Sequence, residues 1–157
     1  SVSPVTRYSP SELFGAYRYR TTHLHYEGEY VVGGNWLIMS VGGDPVPAVH
    51  PGQDLAGSYG VWHTYRVTVN NPDPQPVQVV VRARAAGGVA HFTYSIGGDA
   101  WRATGMLRPH QETTLHRFTV PAASTRVFLL RTMPESGSNY PIRLTVFRAE
   151  DIQLTMP

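Results

Sequence analysis

The stretch that decides the fold class runs from Gly60 to Arg84. It reads Gly-Val-Trp-His-Thr-Tyr-Arg-Val-Thr-Val-Asn, then Asn-Pro-Asp-Pro-Gln-Pro, then Val-Gln-Val-Val-Val-Arg-Ala-Arg. Val61, Tyr65, Val67 and Val69 fall on one face of an extended segment, and Thr64, Arg66, Thr68 and Asn70 on the other. A period of two marks a strand with one buried face. Asn71 to Pro76 ends it, because Pro72, Pro74 and Pro76 have no N–H for a ladder and Asn and Asp favour turns. Val77 to Arg84 is a second strand. The two form a hairpin-like or sheet-crossing pair, with further strands expected beside them.

Composition agrees. The chain has 157 residues, which suits one domain spanning 1–157, with 1–14 as an extended N-terminal arm. A chain of this length buries roughly 70% of its unfolded surface and needs no covalent staple. Charged residues make up 15%, and there are 15 Gly and 13 Pro, which argues against a helical bundle and for short strands joined by turns. All 13 basic residues are Arg, and they are scattered. A nucleic-acid footprint needs a concentrated stripe, so no nucleic-acid partner is expected. There is no Cys, which excludes a disulfide framework and Cys-ligated zinc. No segment approaches the roughly 18 apolar residues of a membrane span, and no membrane insertion is expected. Ser1 in place of Met reads as a processed start, which allows an extracellular origin.

Outward from the central pair, strands are expected through Ala16–Val32 (two, broken near Glu27-Gly28), Trp36–Val41 (a continuous apolar run, buried on both faces), His91–Ile96, Trp101–Leu107, Thr113–Val120, Arg126–Arg131 and Ile142–Arg148, with Ile152 and Leu154 on a last edge strand. Gly42 to Ser58 is a long irregular segment. The sum is an all-β chain, an antiparallel β-sandwich (immunoglobulin-like or jelly-roll) of about eight to ten strands with little helix. Val67, Val69, Val79, Val81, Phe92, Tyr94, Leu129, Leu144 and Val146 are the expected core.

Thr68 to Val79 resembles the strand, Asn-Pro-x-x-x-Pro-Val, strand pattern of immunoglobulin-like modules in bacterial secreted and surface proteins. Pro109 to Phe118, leading into Val120-Pro121, is similar to a second stretch of those modules, with His110 where a Gly usually stands. The resemblance covers about residues 60–148. It implies an immunoglobulin-like sandwich at an extracellular or cell-surface location, and it marks architecture more than function.

Three groups carry candidate chemistry. His23 and His25 lie on one face of a strand with Glu29 downstream, two imidazoles and a carboxylate that suit a metal. The stretch resembles the first metal motif of cupins, but His50-Pro51-Gly52 lacks the second motif's following His. The bland reading is two exposed histidines, and no cofactor is expected. Tyr17, Tyr19, Trp36, Trp62 and Trp101 are a candidate aromatic platform for sugar rings; the alternative is packing, since sheets select aromatics anyway. Val2 and Val5 at one end, and Ile152 and Leu154 at the other, are candidate donor-strand residues that would add a strand to a neighbour's sheet. No Gly-x-Ser-x-Gly elbow, phosphate loop or Asp-rich calcium loop is present. The sequence therefore reads as a non-enzymatic structural, assembly or adhesion module of an extracellular or cell-surface protein, such as a filament subunit. Its partner is itself or another surface protein. The alternatives are a polysaccharide-binding sandwich and a cupin-like metal-dependent enzyme.

Overall fold

The structure, a computed structural model, describes residues 2–6, 21–42, 62–134 and 141–152. Among these residues, ten strands form two sheets. In chain order they are β1 (Val2–Thr6), β2 (Thr21–Val31), β3 (Leu37–Val41), β4 (Trp62–Asn71), β5 (Val77–Ala85), β6 (Thr93–Ile96), β7 (Arg102–Ala103), β8 (Glu112–Val120), β9 (Ser124–Thr132) and β10 (Ile142–Arg148). The six-stranded sheet has the order β1-β2-β4-β9-β6-β7, and the four-stranded sheet β3-β10-β5-β8. Every pairing is antiparallel except β2 with β4, which is parallel. One 3₁₀ turn, Ala149–Asp151, follows β10. The antiparallel sandwich read from the sequence is the fold.

The central pair is sheet-crossing: β4 lies in one sheet and β5 in the other. The turn between them carries the Asn-Pro-Asp-Pro-Gln-Pro run, and its first residue holds it together. Asn71 is buried, and its Nδ2 donates to the carbonyls of Gln75 (2.9 Å), Val120 (3.2 Å) and Pro121 (3.1 Å). Its Oδ1 accepts from the Asp73 N–H at 3.0 Å. Val120 and Pro121 stand where β8 passes to β9, another crossing between the same two sheets. One side chain therefore satisfies backbone groups of both crossings, which a buried loop otherwise leaves orphaned. The Ala123 N–H, bonded to the Asp73 carbonyl at 2.9 Å, joins them again.

Between the sheets lies one apolar core. Val67, Val69, Val79, Val81, Phe92, Tyr94, Leu144 and Val146 are buried in it, as expected. Leu129 is only half-buried. The pairing Tyr65↔Leu130 puts Leu130 on the inner face and turns Leu129 outward, because side chains alternate along a strand. Polar tips buried with aromatic rings find backbone partners: Tyr65 Oη donates to the Ser40 carbonyl (2.7 Å) and Tyr94 Oη to that of Leu115 (3.2 Å).

Four further expectations are corrected. The run Trp36–Val41 is not buried on both faces: β3 is an edge strand with alternating burial, and Ile38 is exposed. Thr21–Val31 is one strand and not two, since Gly28 continues it. Glycine suits the close approach there: a Cβ would stand 2.8 Å from Leu37 Cδ2 across the sandwich, and that side chain would have to shift. Trp101–Leu107 contracts to the two residues of β7 plus a single bridge from Leu107 to Ala90. Ile152 caps the 3₁₀ turn and opens no edge strand, while Leu154 lies outside the described residues. His110 takes a left-handed φ of 68°, which accounts for the Gly usual at that place in the modules it resembles.

Candidate functional site

The register of the six-stranded sheet sets out its outer face row by row. β2 contributes His23, His25, Glu27 and Glu29, opposite Trp62, Thr64, Arg66 and Thr68 of β4. β9 then sets Arg131 beside Thr64, Leu129 beside Arg66 and Val127 beside Thr68. Ser95 of β6 follows Arg131. A surface buried on one side only should be polar on the other, and most of these positions are. Trp62, Val127 and Trp101 break the rule, at 39%, 49% and 46% exposed. Exposed apolar groups gathered on one face are the informative kind.

Trp62 opens β4 and Trp101 immediately precedes β7, yet their rings lie 5.3 Å apart at 50°. Beside Trp62, the rings of His23 and His25 stack at 4.1 Å and 16°. His23 Nε2 lies 2.6 Å from Thr64 Oγ1, so this imidazole is already engaged by the neighbouring strand. Among the residues of β4, β6 and β9, an open trough of 530 Å³ lies over the sheet. Val127 and Leu129 floor it, the side-chain-free turn Gly97-Gly98 makes a low rim, and Arg66 and Arg131 flank it. The rim turn is tight, with the Asp99 N–H on the Ile96 carbonyl (3.0 Å) and φ of 63° and 82° at its two glycines. Arg66 has one loose ion pair, 3.7 Å to Glu27, both side chains more than half exposed. Pairs of that kind contribute little. Arg131 makes no ion pair among the described residues.

The structure separates the aromatic candidates. Trp62 and Trp101 are together. Trp36 belongs to the other sheet, where it stacks on Phe147 at 4.4 Å, with the Arg82 guanidinium 4.7 Å over the same ring. Arg82 is tied in turn to Glu112 at 3.2 Å. Trp36 thus roofs a buried phenyl ring. Tyr17 and Tyr19 lie outside the described residues. The metal candidates are also divided. His23 and His25 are adjacent, but Glu29 is four residues along the same strand from His25, about 13 Å at strand rise. Among the described residues no three His, Cys, Asp or Glu side chains gather around one point. The N-terminal arm carrying Val2 and Val5 pairs with β2 of its own chain, Val2 opposite Tyr26 and Val5 opposite His23. The trough itself escaped the sequence reading. Its arginines lie on different strands, and only the pairing of β4 with β9 shows that Arg66 and Arg131 are diagonal neighbours.

No family model matches the chain, and no curated protein matches its sequence. Solved structures do. The pre-peptidase C-terminal domain of a Bacillus anthracis collagenase is 7% identical over 76% of this chain and 93% of that one, with a TM-score of 0.35. A Podospora anserina GH26-CBM35 β-(1,4)-mannanase is 12% identical over 93% of this chain, TM-score 0.33. A Bacillus thuringiensis Cry1Da tryptic core variant is 14% identical over 54%, TM-score 0.33. The chain spans only 28% of the mannanase and 17% of the Cry1Da variant. At such scores the likenesses assign neither family nor activity. Fold and face together define the class: a mostly antiparallel β-sandwich, ten-stranded among the described residues, with exposed tryptophans and arginines on the outer side of its larger sheet. Among the described residues no helix is long and apolar enough to cross a membrane.

Proposed function

We propose that this chain is a non-enzymatic adhesion module of an extracellular or cell-surface protein, and that it holds polysaccharide on the outer face of its six-stranded sheet. The observation that carries the reading is the exposed Trp62–Trp101 pair. Sugar rings offer flat C–H faces that pack on indole, and their hydroxyls take hydrogen bonds from polar rims such as Arg66 and Arg131. A rigid sheet holds these groups without ordering loops, which limits the entropic cost of binding. The immunoglobulin-like resemblance over residues 60–148 is compatible with such a module and does not choose its ligand.

The test is affinity electrophoresis through gels cast with a panel of soluble polysaccharides. Trp62→Ala and Trp101→Ala should each lose retardation while keeping the wild-type melting temperature. Trp36→Ala should do the reverse, since its ring covers Phe147. Retardation by no polymer, or retardation unchanged in both platform variants, would refute the reading.

Self-assembly is the second reading, and one observation favours it. β8, nine residues long, is an outermost strand of its sheet, and such an edge can template another chain. Light scattering at high concentration decides: a monomer, unaltered in mass by deleting residues 1–8 or 152–157, ends that reading.

A further inference from the structure

Resting on the polysaccharide reading, we infer that the ligand is an acidic polysaccharide whose sugars carry carboxylates, a polyuronate, with Arg66 and Arg131 as the groups that select it. The trough is apolar along its floor and cationic on its flanks. Val127 and Leu129 supply aliphatic surface for the C–H face of a ring. Arg66 stands directly opposite Leu129, and Arg131 is two residues along β9, so the two guanidiniums rise from diagonal positions of the sheet. Such positions are about 7–8 Å apart at the backbone, a separation that lets two groups of one extended ligand be held at once. Neither guanidinium is committed. The 3.7 Å contact from Arg66 to Glu27 is too long for a strong charged hydrogen bond and is open to water. An exposed arginine beside exposed valine on a central strand has no packing role to explain it, whereas a carboxylate-bearing ring uses both.

A carboxylate suits these guanidiniums, and the sulfated polymer in the titration below is its competing anion. A planar guanidinium presents two parallel N–H bonds to a planar carboxylate, a match that lysine cannot make. Every basic residue of this chain is Arg, and the net charge of +2 adds weak long-range attraction for a polyanion. Nucleic acid, which also joins charge to flat rings, suits the face less well. Its footprint needs a stripe of cations, and here the two arginines stand without further cations in the trough, while a separate hollow sharing Arg66 is lined by Glu27 and Glu29.

Isothermal titration of the whole chain against polygalacturonate, dextran sulfate, a neutral galactan and a single-stranded oligonucleotide, at low and at high salt, tests the assignment. Polygalacturonate should bind at least tenfold more tightly than galactan at low salt, and the margin should shrink as salt screens the arginines. Arg131→Gln and Arg66→Gln should each lower polygalacturonate affinity several-fold more than they lower galactan affinity, with the melting temperature unchanged. Arg131→Lys should keep the salt dependence but not the full affinity. Galactan bound as tightly as polygalacturonate would overturn this inference and leave the polysaccharide reading standing. Preference for dextran sulfate or for the oligonucleotide would also overturn it. Binding to none of the polymers would remove both.

Discussion

Replacing Asn71 should cost this fold more than replacing any other polar side chain on its turns. The amide offers two N–H donors, shared among three carbonyls at 2.9–3.2 Å, and one oxygen that accepts from Asp73. That is about three hydrogen bonds, each worth about 1 kcal/mol net, so Asn71→Ala should lose about 3 kcal/mol. The Val120 carbonyl lies at a buried residue and is left poorly hydrated, which pushes the figure up; the exposed neighbours Gln75 and Pro121 can turn to water, which holds it down. A loss of that size is a large fraction of the 5–15 kcal/mol that holds a typical domain together. Asn71→Asp is the sharper variant. It keeps the acceptor for Asp73 but sets a carboxylate against three carbonyl oxygens. At neutral pH it should be less stable than Asn71→Ala. The buried carboxylate's pKa would be raised, so this variant should regain stability as the pH falls through that raised value and the group becomes a donor. Urea denaturation with the slope checked for constancy is the assay. Asn71→Ala within about 0.5 kcal/mol of wild type, inside the range of ordinary surface substitutions, would refute the pinning of both crossings by one side chain. So would Asn71→Asp being the more stable of the two at pH 7.

Other perturbations read other parts of the fold. Leu144→Ala, at a fully buried position, should cost about 2–4 kcal/mol, and Leu130→Ala should cost clearly more than Leu129→Ala; equal losses at 129 and 130 would contradict the register of β9. His110→Gly should raise the unfolding free energy by about 0.5–1 kcal/mol, because relief of the left-handed φ outweighs the added chain entropy and the lost exposed contact to Arg84; a lowered denaturation midpoint would contradict this. Burial holds His116 below the usual histidine pKa, Asp99 partly opposing and Arg102 assisting. The folded state therefore binds its proton less readily than the unfolded one, and stability should fall as pH drops below about 6.5, levelling off beneath the depressed value. His116→Gln should flatten that part of the stability-against-pH curve, and a curve identical to wild type would refute the assignment.

How much of this was legible in the sequence differs between core and surface. The inner faces of β4, β5 and β10 could be read because Val67, Val69, Val79, Val81, Leu144 and Val146 alternate with polar residues, and burial on one side imposes that period. β9 could not be placed to the residue, since Val127, Phe128, Leu129 and Leu130 are all apolar and only pairing with β4 decides which pair faces in. Gly28 looked like a break because glycine usually interrupts strands; its real constraint is Leu37, on the opposite sheet. The outer face was half legible. Exposed tryptophans could be nominated from type alone, but Trp36 and Trp62 are alike in sequence, and only Phe147 beneath the first separates them. Nothing local marks the juxtaposition of Arg66 with Arg131, which is a property of strand order.

The central claim is that an acidic polysaccharide is held on the outer face of the six-stranded sheet. The most direct test is a ¹H–¹⁵N NMR titration of the folded chain with a soluble polygalacturonate oligomer. The account predicts saturable shifts of the Trp62 and Trp101 indole N–H signals and of the Arg66, Gly98, Val127 and Arg131 amides, with the Trp36 indole and the amides of β8 unmoved. Shifts that map to Trp36 or to β8, or no shifts at millimolar ligand, would contradict it.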